Sequence, residues 1–131
     1  MAGGVGGVGA VRRMGDIQAG LATLDQAFEF AEATNERFFE AELHRLRGTM
    51  LSALGKRSEA EAALRWALTL AGQQGARWWE LRAATSLARH LGDEGKRTEA
   101  YAVLHPVYSW FREGFETRDL KGAKALLDEL Y

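Results

Sequence analysis

Gly55-Lys56-Arg57-Ser58-Glu59-Ala60 returns forty residues later as Gly95-Lys96-Arg97-Thr98-Glu99-Ala100, and the same register makes Gly15-Asp16-Ile17-Gln18-Ala19-Gly20 an earlier copy. Downstream the match holds at Leu24, Leu64 and Leu104, then at Ala27, Ala67 and Val107, then at Phe28, Leu68 and Tyr108. Upstream, Arg37-Phe38-Phe39-Glu40 pairs with Arg77-Trp78-Trp79-Glu80. A fixed period without insertions marks a stack of repeated units, each burying its apolar face on its neighbours. Chains of this kind act through extended surfaces.

Within each copy the apolar spacing is helical. Leu21, Leu24, Phe28 and Ala31 recur at three- and four-residue steps after Ile17, which predicts a helix over Ile17–Ala33. A second is expected over Arg37–Leu54 with Leu43, Leu46, Met50 and Leu51 inward, stopped by Gly55 in the left-handed conformation that a Cβ disfavours. Ser58 with Glu61 reads as a capping box opening a third helix, Ser58–Gln73, with Ala60, Leu64, Ala67, Leu68 and Ala71 in the core and Gly72 and Gly75 closing it. The pattern repeats as Arg77–Glu94 with Gly95 as stop, then Thr98–Gly114 capped by Thr98 and kinked near Val103–Leu104 by Pro106. A closing helix, Asp119–Leu130, carries Leu120, Ala123, Leu127 and Leu130 on one stripe. The fold class is therefore all-α: a solenoid of antiparallel helix pairs with a repeat of about forty residues and a C-terminal capping helix.

Composition narrows the function classes. The chain has 131 residues, a net charge of -1, no cysteine and a single proline. That allows one domain and gives no bulk attraction to nucleic acid or membrane. Disulfides and thiolate metal sites are excluded. No apolar run reaches the roughly 20 residues that span a bilayer, and no basic and leucine-rich signal segment opens the chain. A cytoplasmic location is the default expectation. Residues 1–14 are expected to be a flexible glycine-rich segment, because Met1 to Gly9 is dominated by glycines that each cost a helix about 1 kcal/mol. Residues 15–131 then form the repeat domain. The array lacks a partner helix for Ile17–Ala33, as though a larger protein had been cut or its reading frame opened late. Leu21, Leu24 and Phe28 are accordingly expected to form an exposed edge that pairs with a second copy or another protein.

The motifs also resemble a known family. Ala60-x-x-x-Leu64 and Ala100-x-x-x-Leu104 fit the second-helix pattern of tetratricopeptide repeats, and Arg47-Gly48-x-x-Leu51 and Leu87-Ala88-x-x-Leu91 fit the first loosely. Glu42 to Gly48, Gly75 to Arg89 and the tail from Pro106 to Leu130 resemble the C-terminal tetratricopeptide array of large bacterial signalling ATPases, which often carry a cyclase-type or DNA-binding domain. The resemblance covers residues 15–131. It implies a regulatory, protein-binding module and transfers no catalytic residue, since the cyclase and ATPase motifs lie in other domains.

Candidate sites are few. Gly4-Val5-Gly6-Gly7-Val8-Gly9 has dinucleotide-loop spacing but neither the preceding strand nor the following helix N-terminus that phosphate binding needs. His44, His90 and His105 fall on separate helices, so no metal or other cofactor is expected. No grouping supports an enzyme. Trp66, Trp78, Trp79 and Trp110 are expected to pack, with Phe38-Phe39 and Trp78-Trp79 wedged between repeats, rather than stack on bases. Lys56-Arg57 and Lys96-Arg97 form a repeated basic turn, read as solvated loops with an anionic docking edge as the alternative. The first helix of each tetratricopeptide pair lines a concave groove, which places Glu42, Arg45, Thr49, Ser52, Arg82, Thr85 and Arg89 on a polar binding face. The Asn and Lys residues of the carboxylate-clamp subtype are not at these positions. The expected function is protein–protein interaction, with a self-associating structural domain as the alternative.

Overall fold

The computed structural model describes residues 2–34 and 39–131, the side chains of residues 2–12 excepted. Six helices account for the described residues: α1 (Ala2–Thr34), α2 (Glu40–Ala53), α3 (Arg57–Gln74), α4 (Arg77–Asp93), α5 (Arg97–Trp110) and α6 (Arg118–Leu130), with no strand among them. Arg37 and Phe38, and with them the expected start of the second helix, lie outside the described residues.

The turns explain the periodicity. Gly55, Gly75 and Gly95 have φ of 81°, 67° and 82°. At each, the amide after the glycine reaches back across the turn: Lys56 to the Leu51 carbonyl (2.9 Å), Ala76 to Ala71 (3.0 Å) and Lys96 to Leu91 (2.9 Å). The glycine amides themselves bond to Ser52, Gly72 and Gly92. This double closure satisfies carbonyls that a helix end leaves without partners. Lys56, Ala76 and Lys96 then act at once as N-caps, their carbonyls accepting from Ala60, Glu80 and Ala100. One glycine turn thus ends a helix and begins the next, at twenty-residue spacing.

That economy corrects two expectations. Neither Ser58 nor Thr98 caps a helix; both lie inside one, and no side chain bonds the amides at these starts. Glu61 instead accepts a hydrogen bond from Arg65 Nε (2.9 Å). The opening segment also differs from expectation: helix runs continuously from Ala2 through Gly15 to Thr34, so residues 2–14 extend α1 instead of forming a separate segment. No proline interrupts it, and none of the positive-φ glycines falls there. Gly72 is internal to α3, and α5 passes through Pro106 but ends at Trp110, short of Gly114.

Consecutive helices pack on one another, and the even-numbered ones also touch: α2 meets α4, and α4 meets α6, whereas among the described residues the backbones of α1 and α3, and of α3 and α5, stay apart, the latter pair bridged by Arg65 and Glu99. The layer formed by α2, α4 and α6 is therefore the tighter one, and the odd helices stand outside it. α4 is the centre. It buries Leu81, Ala84, Leu87, Ala88 and Leu91, which join Leu64, Ala100, Leu104, Leu120, Ala123 and Leu127 in one core. Small residues set the spacing: a Cβ on Gly48 would come within 2.6 Å of Leu64 Cγ, so α2 and α3 approach as closely as a glycine permits.

α1 uses its apolar stripe on α2. Leu24 and Ala31 are buried, Leu21 is half-buried, and Phe28 lies against His44 with ring centroids 4.7 Å apart. Of the three residues expected at an exposed edge, Leu24 is buried, while Leu21 and Phe28 are partly covered where α1 packs on α2. Among the described side chains of α1, the large apolar ones that are exposed are Phe30 and Met14, at 62% and 48%. None of the described helices is long and apolar enough to cross a membrane.

Candidate functional site

All seven residues expected to line the groove lie on α2 and α4, in the inner layer. Their roles differ. Arg45 grips the carboxylate of Glu42 with two hydrogen bonds of 2.8 Å and sends Nη1 to the Ser86 hydroxyl at 3.2 Å. Arg82 reaches the same Glu42 carboxylate at 2.9 Å, and its Nε stands 3.9 Å from Asp119. Glu42, Arg82 and Asp119 therefore link α2, α4 and α6 across the face of the layer. The Arg45–Glu42 pair is largely withdrawn from water, with side-chain exposures of 13% and 17%, so it behaves less like a surface ion pair than like a fixed part of the wall.

Thr49 and Thr85 donate to carbonyls of their own helices, Leu46 at 2.9 Å and Leu81 at 2.8 Å. Ser52 bonds His90 Nδ1 at 3.0 Å. Arg89 is exposed and makes no ion pair or hydrogen bond among the described residues.

Two adjoining clefts run along this face. One, of about 410 Å³, is lined by Arg45, Arg82, Thr85, Arg89, Arg118 and Asp119 among others. The next, of about 290 Å³, takes in Thr49, Ser52, Arg57, Arg89 and Asp93. Arg89 is common to both. The sequence reading did not find Ser86, Arg57 and the α6 contribution of Arg118 and Asp119. Ser86 carries no signal of its own beyond its place one position after Thr85. Arg57 was visible as half of the repeated basic turn, and it lines the cleft. Like Arg89, Arg57 and Arg118 have no ion-pair partner among the described residues. Four guanidiniums, from Arg45, Arg82, Arg89 and Arg118, and the carboxylate of Asp119 line the larger cleft, while Glu42 pairs with Arg45 and Arg82 from beside it. The face is basic although the chain as a whole is slightly acidic.

The aromatic residues divide. Phe39 and Trp79, one repeat apart, stack with centroids 6.1 Å apart, as the wedge between repeats requires. Trp78 packs on Phe111 at 4.9 Å. Trp66 and Trp110 remain about half exposed, Trp110 beneath the guanidinium of Arg77 at 4.6 Å.

Outside the groove, two further polar clusters are formed. His44 sits between Phe28 and Trp66, and burial pushes its imidazole below the ordinary value, an effect that Glu40 opposes and Arg47 reinforces. Beside the α3–α4–α5 junction, ligand atoms of Glu61, His90 and Glu94 all lie within 4.8 Å of one another. The three histidines do occupy separate helices, yet the twenty-residue half-period brings carboxylates of two turns around one of them. The Arg65 hydrogen bond holds the Glu61 carboxyl below its usual range.

No family model matches the chain, and neither a curated protein nor a solved structure matches it.

Proposed function

We propose that this chain is a protein-interaction module of tetratricopeptide type, whose groove over α2, α4 and α6 takes an extended, acidic segment of a partner protein. The observation that carries this is the row Arg57, Arg89 and Arg118: three guanidiniums without counter-ions, lining contiguous clefts on the inner layer. Arginines unpaired among the described residues and lining clefts favour carboxylate or phosphate groups, which they grip in two-pronged hydrogen bonds. Arg45 and Arg82 are already committed to Glu42 and hold the wall in shape. The repeat type and the setting, the C-terminal regulatory part of a larger bacterial signalling ATPase or cyclase-like protein acting in the cytoplasm, rest on the resemblance at Glu42–Gly48 and Gly75–Arg89.

The test is fluorescence anisotropy with a labelled Asp/Glu-rich peptide against a Lys-rich one of equal length. The proposal expects saturable binding of the acidic peptide that weakens at least tenfold in Arg89→Glu/Arg118→Glu. Equal binding of both peptides, or an unaffected double variant, refutes it. The second reading is self-association with no other ligand. It is favoured by Phe30 and Met14 of α1, large apolar side chains that are exposed among the described residues. Light scattering on Phe30→Glu separates the two, because charge at that site breaks a dimer without touching the groove.

A further inference from the structure

We infer that Glu61, His90 and Glu94 form a binding site for a borderline divalent metal ion such as Zn²⁺, clipping α3 to the end of α4. The imidazole is the anchor. His90 is almost completely buried, with its side chain 2% exposed, and its Nδ1 is paired with Ser52. The other nitrogen, Nε2, has no hydrogen-bond partner, and the closest ionic group is Glu94 Oε1 at 3.7 Å. When Nδ1–H donates to the serine hydroxyl, Nε2 presents a lone pair to the two carboxylates. That is the tautomer and support a metal-bound imidazole uses.

The carboxylates are suited to it. Glu94 follows His90 by one helical turn, so both project from one face of the helix. Glu61 approaches from α3; its Oε2 is occupied by Arg65, which leaves Oε1 toward the cluster. An ion held about 2.1 Å from each ligand needs ligand atoms no more than about 4.2 Å apart. The observed limit of 4.8 Å is met by a small swing of a partly exposed carboxylate. One nitrogen and two oxygens leave room for water, and this donor set suits Zn²⁺ and neighbouring transition ions better than Ca²⁺ or Mg²⁺, which take oxygen ligands alone.

Lys96 is the competitor. Its ammonium lies 3.7 Å from Glu94 and 3.9 Å from Glu61. It neutralises the carboxylates but does not hydrogen-bond Nε2. Being half exposed, it has solvent to move into when an ion enters.

Calorimetric titration of the full chain with Zn²⁺, with Co²⁺ as an absorbing substitute, tests the site. Expected are one ion per chain, a visible Co²⁺ band of tetrahedral character and a Zn²⁺-dependent rise in Tm. Glu94→Gln should weaken binding by ~10-fold or more and abolish the rise in Tm. Lys96→Ala, a surface change that leaves the helices intact, should tighten binding. His44→Gln and His105→Gln should leave it unchanged. Absence of one-to-one binding, binding unchanged in Glu94→Gln, or binding weakened by Lys96→Ala overturns the assignment.

Discussion

Gly48→Ala isolates the closest packing in the molecule. In an exposed helix this change stabilises by about 1 kcal/mol, because glycine loses more backbone entropy on folding. Here the new methyl would lie 2.6 Å from Leu64 Cγ, 2.7 Å from its Cδ2 and 3.2 Å from the Ala60 carbonyl oxygen. Leu64 is 1% exposed and belongs to the main core. Moving its Cγ clear needs a change of χ1, which the packed core around Leu64 opposes, and the carbonyl belongs to the backbone of α3. Overpacking of this kind costs typically about 1–3 kcal/mol. The net expectation is destabilisation by about 1–2 kcal/mol, which lowers Tm by several degrees in a domain of this size. Chemical denaturation followed by circular dichroism measures it. Shortening the opposing side chain in Gly48→Ala/Leu64→Val should recover part of the loss, a coupling that a double-mutant cycle quantifies. A Gly48→Ala variant as stable as wild type, or more stable, would refute the claim that glycine sets the α2–α3 spacing. Ala88 holds the equivalent position one repeat on and is fully buried, so a methyl is accommodated there.

Three further outcomes follow from other parts of the chain. Gly95→Ala meets no atom within 4 Å but must adopt φ near 82°, so it should cost about 1–2 kcal/mol from backbone strain alone, without the rescue that repacking gives Gly48→Ala. Leu81→Ala, at a fully buried position on α4, should cost about 2–5 kcal/mol by denaturation. His44 binds its proton less readily folded than unfolded, so its contribution to stability is complete above its ordinary value of 6.5 and is lost as pH falls from there through the lower folded value. Denaturation midpoints should decline over that window, and the decline should shrink in His44→Gln.

Much of the core was legible because periodicity alone determines it. Ala60, Leu64, Ala67 and Ala71 on α3, and Leu120, Ala123 and Leu127 on α6, are buried as their spacing requires. The residues expected to line a groove share α2 and α4 for the same reason, since a polar stripe opposite an apolar one is a property of a single helix. What failed depended on events between elements. Ser58 and Glu61 have capping-box spacing, but the glycine turn at Gly55 starts α3 at Arg57, and Arg65 takes the carboxylate. Leu21, Leu24 and Phe28 were assigned to an exposed edge because no partner helix precedes them in sequence, whereas α2, which follows, buries Leu24 and partly covers the other two. The opening glycines were weighed as helix breakers, and α1 nonetheless runs through them. Arg118 and Asp119 joined the groove because α6 packs beside α4, which no local pattern announces. The Glu61–His90–Glu94 group had one local sign, His90 and Glu94 one turn apart; its third member comes from another helix and is invisible to spacing.

The central claim is that the inner layer, not the outer helices or the end of α1, is the working surface. Amide chemical-shift mapping during titration with an acidic peptide tests it directly. Expected are perturbations confined to α2, α4, α6 and the first turn of α3, centred on Arg57, Arg89 and Arg118. Perturbations clustered on α1, α5 or the rest of α3, or none at saturating peptide, would contradict it.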